Sequence, residues 1–392
     1  MASRPRLPGN VWILGFVSLL MDLSSEIYHS LLPAFITIVL GLPATALGAI
    51  DGVAEATANF AKLASGRLSD RSLKRKRWVV AGYGLAALSK PLFPLATSAP
   101  AVLVARFADR IGKGIRGAPR DAMVADETPP AIRGRAFGLR QALDTAGALL
   151  APIAAIALMA WLASDIRLVF WIAIIPAACS FLLAWLALRE PQQQLAPLER
   201  SPFFAGFRHL DKATKRLLQV GFLFGLARFS EGFLILKGIE IGLSEALSPL
   251  TLAVFNLAYV ALAYPAGALS DRMSPRSILL AGMALLVAGN LVLAQTGSFA
   301  GLILGVGLWG AHMALTQGIF SRMVADSAPA DKRATAFGAF WFVSGTGTLL
   351  ASLAAGMLWD RSGSEMTFFA SAGVAAVALA MLSLLHSDRP AA

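Results

Sequence analysis

The sequence has a single cysteine, Cys179, and only four histidines, His29, His209, His312 and His386, scattered over 392 residues. One cysteine excludes a disulfide within the chain and any cysteine-cluster metal site, and the scattered histidines match no metal-ligand spacing. Charge is scarce as well: 15% of residues are charged against 57% hydrophobic, with a mean hydropathy of +0.66. That balance exceeds what the core of a water-soluble domain requires. Long polar stretches are missing except between 189 and 215. The rest is a series of apolar stretches near 20 residues long, each able to cross about 30 Å of hydrocarbon. Twelve spans are expected, at 11–38, 45–68, 78–97, 100–125, 134–161, 168–188, 216–242, 249–269, 277–296, 300–325, 334–358 and 367–386.

The net charge of +11 would suit nucleic acid, but its distribution argues otherwise. Basic residues crowd alternate loops: Arg67 to Arg77, Arg133 and Arg135, Arg189 to Arg216, Arg272 and Arg276, Lys332 and Arg333. The opposite loops offer Arg167 and Arg361. The positive-inside rule then places both termini in the cytoplasm, as an even number of spans requires. Arg4 and Arg6 before an apolar run imitate a signal peptide, yet Asp22 and Glu26 interrupt it and no cleavage site follows, so a retained first helix is expected.

The chain also repeats itself. Met123-Val124-Ala125-Asp126, Pro129, Arg133 and Ala136-Phe137-Gly138 recur 200 residues later as Met323-Val324-Ala325-Asp326, Pro329, Arg333 and Ala336-Phe337-Gly338. A repeat at half the chain length predicts two similar bundles built by duplication.

The few charges inside spans are the chemically informative residues, because a carboxylate or cation facing lipid costs roughly 2.5–3.5 kcal/mol on insertion scales. Span 1 carries Asp22 and Glu26 one helical turn apart. Span 2 carries a stripe of Asp51, Glu55, Asn59, Lys62 and Gly66, and span 3 has Lys90. In span 4, Arg106, Asp109, Arg110, Lys113, Arg116, Arg120 and Asp121 fall on one side while Val104, Phe107 and Ile111 fill the other. Turning those charges to lipid would cost on the order of 20 kcal/mol, so the ionic side is predicted to be internal. Span 5 has Arg140 and Asp144 at i, i+4. The second half is sparser, with Arg228, Glu231, Lys237 and Glu240 in span 7 and Asn256, Asn290, His312 and Gln317 in spans 8 to 10.

Each feature has a plainer reading beside the functional one. Asp22 and Glu26 suit proton or substrate binding, or permanent pairing with a neighbouring cation. Arg110, Lys113 and Arg116 suit an anion cavity or an internal salt-bridge network. His312 suits a ligand or a helix contact. Gly112-Lys113-Gly114-Ile115-Arg116-Gly117 matches GxGxxG, but no strand precedes it, and the glycines are expected to serve helix packing.

Gly66-Arg67-Leu68-Ser69-Asp70-Arg71, echoed by Gly267-Ala268-Leu269-Ser270-Asp271-Arg272, resembles the cytoplasmic loop motif of the major facilitator superfamily, with Leu73 where that motif usually has glycine. Arg106 fits the span-4 arginine motif, with Asp109 and Arg110 in place of glutamine and glycine. Gly138, Gly147, Ala151 and Pro152 resemble the antiporter motif of its exporters, with alanine for one glycine; the second copy, Gly338, Gly347 and Ala351, ends in Ser352. The segments Asp22 to Glu26 and Arg110 to Arg116 look similar to those of a bacterial group of such transporters.

The resemblance implies an all-α polytopic fold of two six-helix bundles, 1–188 and 216–392, with pseudo-two-fold symmetry and a cytoplasmic linker over 189–215. Phe203, Phe204 and Phe207 beside Arg208 suggest that part of the linker is an amphipathic surface helix. The implied function is proton-coupled transport of a small anionic or zwitterionic solute by alternating access, with export favoured. A proton symporter importing an organic anion, and a transporter-like sensor or scaffold without transport, are the competing readings. An enzyme is not expected, because no nucleophile and base or cofactor loop survives its context. Proton-coupling candidates are Asp22, Glu26, Glu55, Asp109 and Asp144. Substrate-binding candidates are Lys90, Arg106, Arg110, Lys113, Arg116, Arg228, Glu231 and His312. The gating motifs are Gly66, Asp70, Arg71, Gly267, Asp271 and Arg272. No cofactor or nucleic acid is expected; the partners are the solute, protons and lipid, and the protein is expected to be a monomer in a bacterial inner membrane.

Overall fold

The computed structural model describes residues 7–72, 74–129, 132–190, 212–270, 273–327 and 333–384, and these are helical throughout, with no strand among them. Helix α1, Gly9–Ala34, runs into a π-helical turn, Phe35–Val39, where the Leu40 N–H donates to the Phe35 carbonyl. Pro33, which has no N–H to give the preceding turn, sits just before this loosening. Gly41 adopts φ 62° and turns the chain into α2, Ala44–Ser72. Helix α3, Arg75–Ser89, ends at Lys90-Pro91 and a short α4, Leu92–Leu95, completes the span. Helix α5, Ala99–Glu127, starts with Pro100 in its first turn, where the missing N–H costs nothing. Helices α6, Arg133–Trp161, and α7, Ile166–Ala187, are joined by a tight turn in which the Asp165 carboxylate accepts from the Arg167 and Leu168 N–H groups.

The second half comprises α8, Lys212–Leu226, α9, Gly232–Glu240, α10, Leu250–Ser270, α11, Pro275–Gln295, α12, Phe299–Ser327, and α13, Arg333–Leu384, which carries the last two spans across a kink at Gly363 (φ 82°). Every expected span falls on helix. One differs in form: 216–242 is broken between Leu226 and Gly232 rather than continuous. Within the linker, 191–211 lies outside the described residues, including Phe203, Phe204, Phe207 and Arg208.

Among the described residues, six helical stretches are long and apolar enough to cross a membrane: Gly9–Val39, Arg135–Trp161, Ile166–Ala187, Pro275–Gln295, Phe299–Gln317 and Ala339–Leu384. Helices α2 and α5 fall outside that set, and they are the ones loaded with internal charge.

The duplication is visible in the packing. In the first bundle α1 lies against α6 and α7, α2 against α5, and α3 against α5 and α7; in the second, α8 lies against α13, α10 against α12, and α11 against α12 and α13. Each pairing recurs six spans later. Between bundles α2 packs on α13, α6 on α10 and α1 on α9.

Glycine sets the closest approaches. A Cβ on Gly112 would stand 2.7 Å from the Gly82 carbonyl oxygen of α3, and one on Gly114 would stand 2.8 Å from the Ala58 carbonyl of α2. These glycines of the GxGxxG string pack helices. Gly147 abuts the backbone of Leu19 on α1, while Gly138 has nothing within 4 Å, so neither glycine stands at the contact of α6 with α10. That contact is made by the Asn256 side chain of α10 donating to the Ala148 carbonyl at 3.1 Å. Ala151 is buried, and Pro152 lies inside a continuous α6.

Candidate functional site

The ionic side of α5 is turned inward, as lipid exclusion demands. Arg106, Asp109, Arg110 and Arg116 are 1–3% exposed, whereas Val104 and Phe107 on the opposite side are 59% and 42% exposed. The α2 stripe faces α5 and meets these charges one by one. Asp51 pairs with Arg106 at 3.2 Å, and Glu55 with Arg110 at 3.2 Å. Asp109 holds Lys90 at 2.9 Å on one oxygen and Arg110 at 3.6 Å on the other. The Lys90 ammonium also donates to Ser25 of α1 at 2.9 Å and sits 4.9 Å from the Tyr28 ring centroid. Further along α5, Arg120 reaches Asp121 (3.3 Å), Asp144 (3.5 Å) and the Ser18 hydroxyl (2.9 Å), and Arg140 joins Asp121 and Asp144 at 3.8 and 3.7 Å.

Two candidate acids stand apart from that lattice. Glu26 faces His29 of its own helix at 3.2 Å. Asp22 has no cation within 4 Å among the described residues; its carboxyl lies beside that of Asp144, so α1 and α6 bring two acids together on one cavity wall. Two neighbouring carboxyls repel when both are ionised, and binding one proton between them relieves that repulsion.

Asp22, Asp144 and Glu26 border a cavity of about 200 Å³ between the bundles, with Lys113 from α5 and Asn256, Tyr259 and Met313 from the second half. Lys113 is exposed there without a paired carboxylate among the described residues. Arg228 at the break between α8 and α9 approaches the Met313 sulfur at 3.1 Å and the Phe224 ring at 5.9 Å, and it too has no ion pair. Glu231 begins α9 half-buried. His312 lies outside this chamber: it is fully buried, with Nδ1 3.0 Å from the Gly282 carbonyl and its ring beside Phe224 and Trp309. Gly66, Asp70 and Arg71 run in the last turns of α2 and Gly267 in α10, but their side chains, and Asp271 and Arg272 altogether, lie outside the described residues.

The sequence-model of the Major Facilitator Superfamily matches residues 14–237 and again 220–392, once for each bundle. The chain belongs to the major facilitator superfamily. It is 33% identical over 368 residues to an uncharacterized MFS-type transporter of Methanocaldococcus jannaschii, covering 92% of this chain and 91% of that one. It is 32% identical over 154 residues to a protein of Cupriavidus pinatubonensis named "Probable 4-methylmuconolactone transporter", a match to 39% of this chain and 36% of that one. Among solved structures, the nucleoside transporter NupG superposes with a TM-score of 0.80 at 14% identity, covering 97% of this chain and all of that one. The fold is thus that of an all-α, multi-pass membrane transporter.

Sequence reasoning missed Ser230, which bonds the first bundle to the second. Its hydroxyl donates to Asp51 at 2.6 Å, and its N–H donates to Ser352 of α13 at 3.1 Å. The one available signal was a polar cluster, Arg228 to Glu231, inside an otherwise apolar span. Asp360 of α13 was also missed. Its carboxylate accepts from the Ala44 and Thr45 N–H groups at 2.9 and 2.8 Å, capping α2 from the other bundle.

Proposed function

We propose that this superfamily member is a proton-coupled secondary transporter that exports a small anionic or zwitterionic solute by alternating access. The observation that carries the reading is the meeting of the Asp22 and Asp144 carboxyls on the wall of the inter-bundle cavity, where one proton can bind between them, beside the unpaired Lys113 ammonium. Anionic solute entering beside Lys113, and a proton leaving the carboxyl pair, are two charge changes in one small low-dielectric space. Each alters the free energy of the other, which is what coupling requires. Of the five proton-coupling candidates, Glu55 and Asp109 are engaged by buried cations, Asp144 by Arg120 and Arg140, and Glu26 by His29, so Asp22, beside Asp144, is the stronger assignment.

Export is favoured by the antiporter-like Gly138, Gly147, Ala151 and Pro152 on α6. Substrate candidates that face or adjoin the cavity are Lys113 and Arg228; Lys90, Arg106 and Arg110 support its wall. The partial relative named for a methylmuconolactone suggests small organic acids as the first solutes to screen, by thermal shift and then by flux in proteoliposomes. A proton gradient directed against the solute movement should drive solute out of the compartment into which protons flow, and Asp22→Asn should abolish that drive. Solute following protons in the same direction would replace export by symport, and unchanged driven flux in the variant would remove Asp22 from the role.

A further inference from the structure

Matching the cations between the helices of the first bundle with carboxylates leaves a remainder. Lys90, Arg106, Arg110, Arg120 and Arg140 each have one within 4 Å. Lys62, Lys113 and Arg116 have none among the described residues, and all three border the same cavity of about 190 Å³ between α2, α5 and α6. Arg116 is 3% exposed; its guanidinium lies 4.7 Å from the Tyr83 ring centroid, and its buried Nη1 has no hydrogen-bond partner. The Lys62 stem lies along Gly117, where a Cβ would stand 3.7 Å from its methylene carbons, and its ammonium is 4.9 Å from the Trp341 ring centroid of the other bundle. Asn59 lines the same space with a neutral amide.

The acids bordering this cavity are already engaged: Glu55 by Arg110, Asp144 by Arg120 and Arg140, and Asp22 by Asp144. Three like charges around a small, partly enclosed space repel one another, and a buried unpaired Nη1 costs its desolvation. A monoanion would leave most of that charge uncompensated. A compact dianion with several oxygens would meet the planar guanidinium with two parallel bonds and still present acceptors to two ammonium groups.

We propose that Lys62, Lys113 and Arg116 form a binding site for a dianionic oxyanion group, as in phosphate or a phosphate monoester. The site adjoins the bundle seam through Lys62, whose ammonium lies over Trp341 of the second half. Only the occupant's role as cargo rests on the transport reading; binding itself needs no gradient. Failure of proton-driven flux would therefore leave this site standing, and failure of binding would leave the carboxyl pair standing.

The test is thermal stability of the detergent-solubilised full chain, titrated at pH 8 and constant ionic strength with inorganic phosphate, with sulfate as a second dianion and acetate as a monoanion. Phosphate and sulfate should raise the melting temperature saturably and acetate should not. Arg116→Gln and Lys62→Gln should keep or raise the melting temperature without anion, since each removes an uncompensated charge, and should weaken phosphate at least tenfold. Arg361→Gln, at an exposed residue remote from the cavity, should leave the phosphate response unchanged. If Arg116→Gln does not fold, Arg116→Lys, which keeps the charge and loses the fork, should weaken phosphate in its place. No saturable phosphate effect, an equal acetate effect, or an undiminished response in the Lys62 and Arg116 variants would overturn the site.

Discussion

Ser230 offers a single-atom perturbation of the contact that closes the bundles against each other. It occupies the break between α8 and α9 and donates to Asp51 at 2.6 Å, while Asp51 holds Arg106 on its other oxygen. At the same end of the molecule, Ser164 of the first bundle and Leu243 to Ala246 of the second share one surface groove. Ser230→Ala removes one hydrogen bond to a charged group, an interaction contributing about 1.5–3 kcal/mol. At about 1.4 kcal/mol per tenfold, the population closed at this end should fall relative to the open one by roughly ten- to a hundred-fold. Asp51 keeps its Arg106 partner, so the fold should survive. Asp51→Asn is harsher: it leaves Arg106, 1% exposed, without its carboxylate and should cost about 3–5 kcal/mol of stability as well. Spin labels on cysteines at the exposed positions Trp161 and Leu247, in a Cys179→Ser background, would read the separation of the two bundles by pulsed dipolar spectroscopy. Ser230→Ala should broaden that distance distribution and extend it to longer values. A folded Ser230→Ala protein with an unchanged distribution would refute the assignment of Ser230 as a latch between bundles.

Lys90→Met should destabilise the protein by about 3–5 kcal/mol because it leaves the buried Asp109 carboxylate with only its 3.6 Å contact to Arg110, and Lys90→Met with Asp109→Leu should recover most of the loss, both read by thermal melting. Gly112→Ala should lower the melting temperature by forcing α3 and α5 apart, at a cost of about 1–3 kcal/mol, since its Cβ would meet backbone on both Gly82 and Ala86. At the C-terminal end of α5, burial raises the Glu127 carboxyl above its usual range, against a lowering from the Asn10 side chain that donates to it at 2.5 Å. A raised folded-state value favours the native state at low pH and loses that contribution as pH rises through it, so Glu127→Gln should flatten a small decline in melting temperature between acid and neutral pH.

Much of this architecture was legible because lipid makes strict demands. The apolar stretches marked where helices run, the repeat at 200 residues pointed to two bundles, and the cost of ions in hydrocarbon pointed to the inward side of α5. Pairs one turn apart on a single helix were also readable, as with Arg140 and Asp144, which do meet at 3.7 Å. Helical spacing says which face a charge occupies but not which neighbour it meets, so the pairing of Lys90 with Asp109 and of Asp51 with Arg106 needed coordinates. The break in span 7 was hidden for a related reason. No proline marks it, and the partner that holds the exposed backbone there, Ser352, lies 122 residues away. Asp22 with Asp144 was the least legible contact, because sequence reasoning looks for opposite charges and these are two acids.

The account stands most directly on the proton proposed to bind between those two acids. Proteoliposome flux of whichever organic acid stabilises the protein should be measured twice, as gradient-driven movement and as one-for-one exchange without a gradient, for the native chain and for Asp22→Asn. The expected result is loss of the driven movement with exchange retained. Driven movement persisting at the native rate in Asp22→Asn would contradict it.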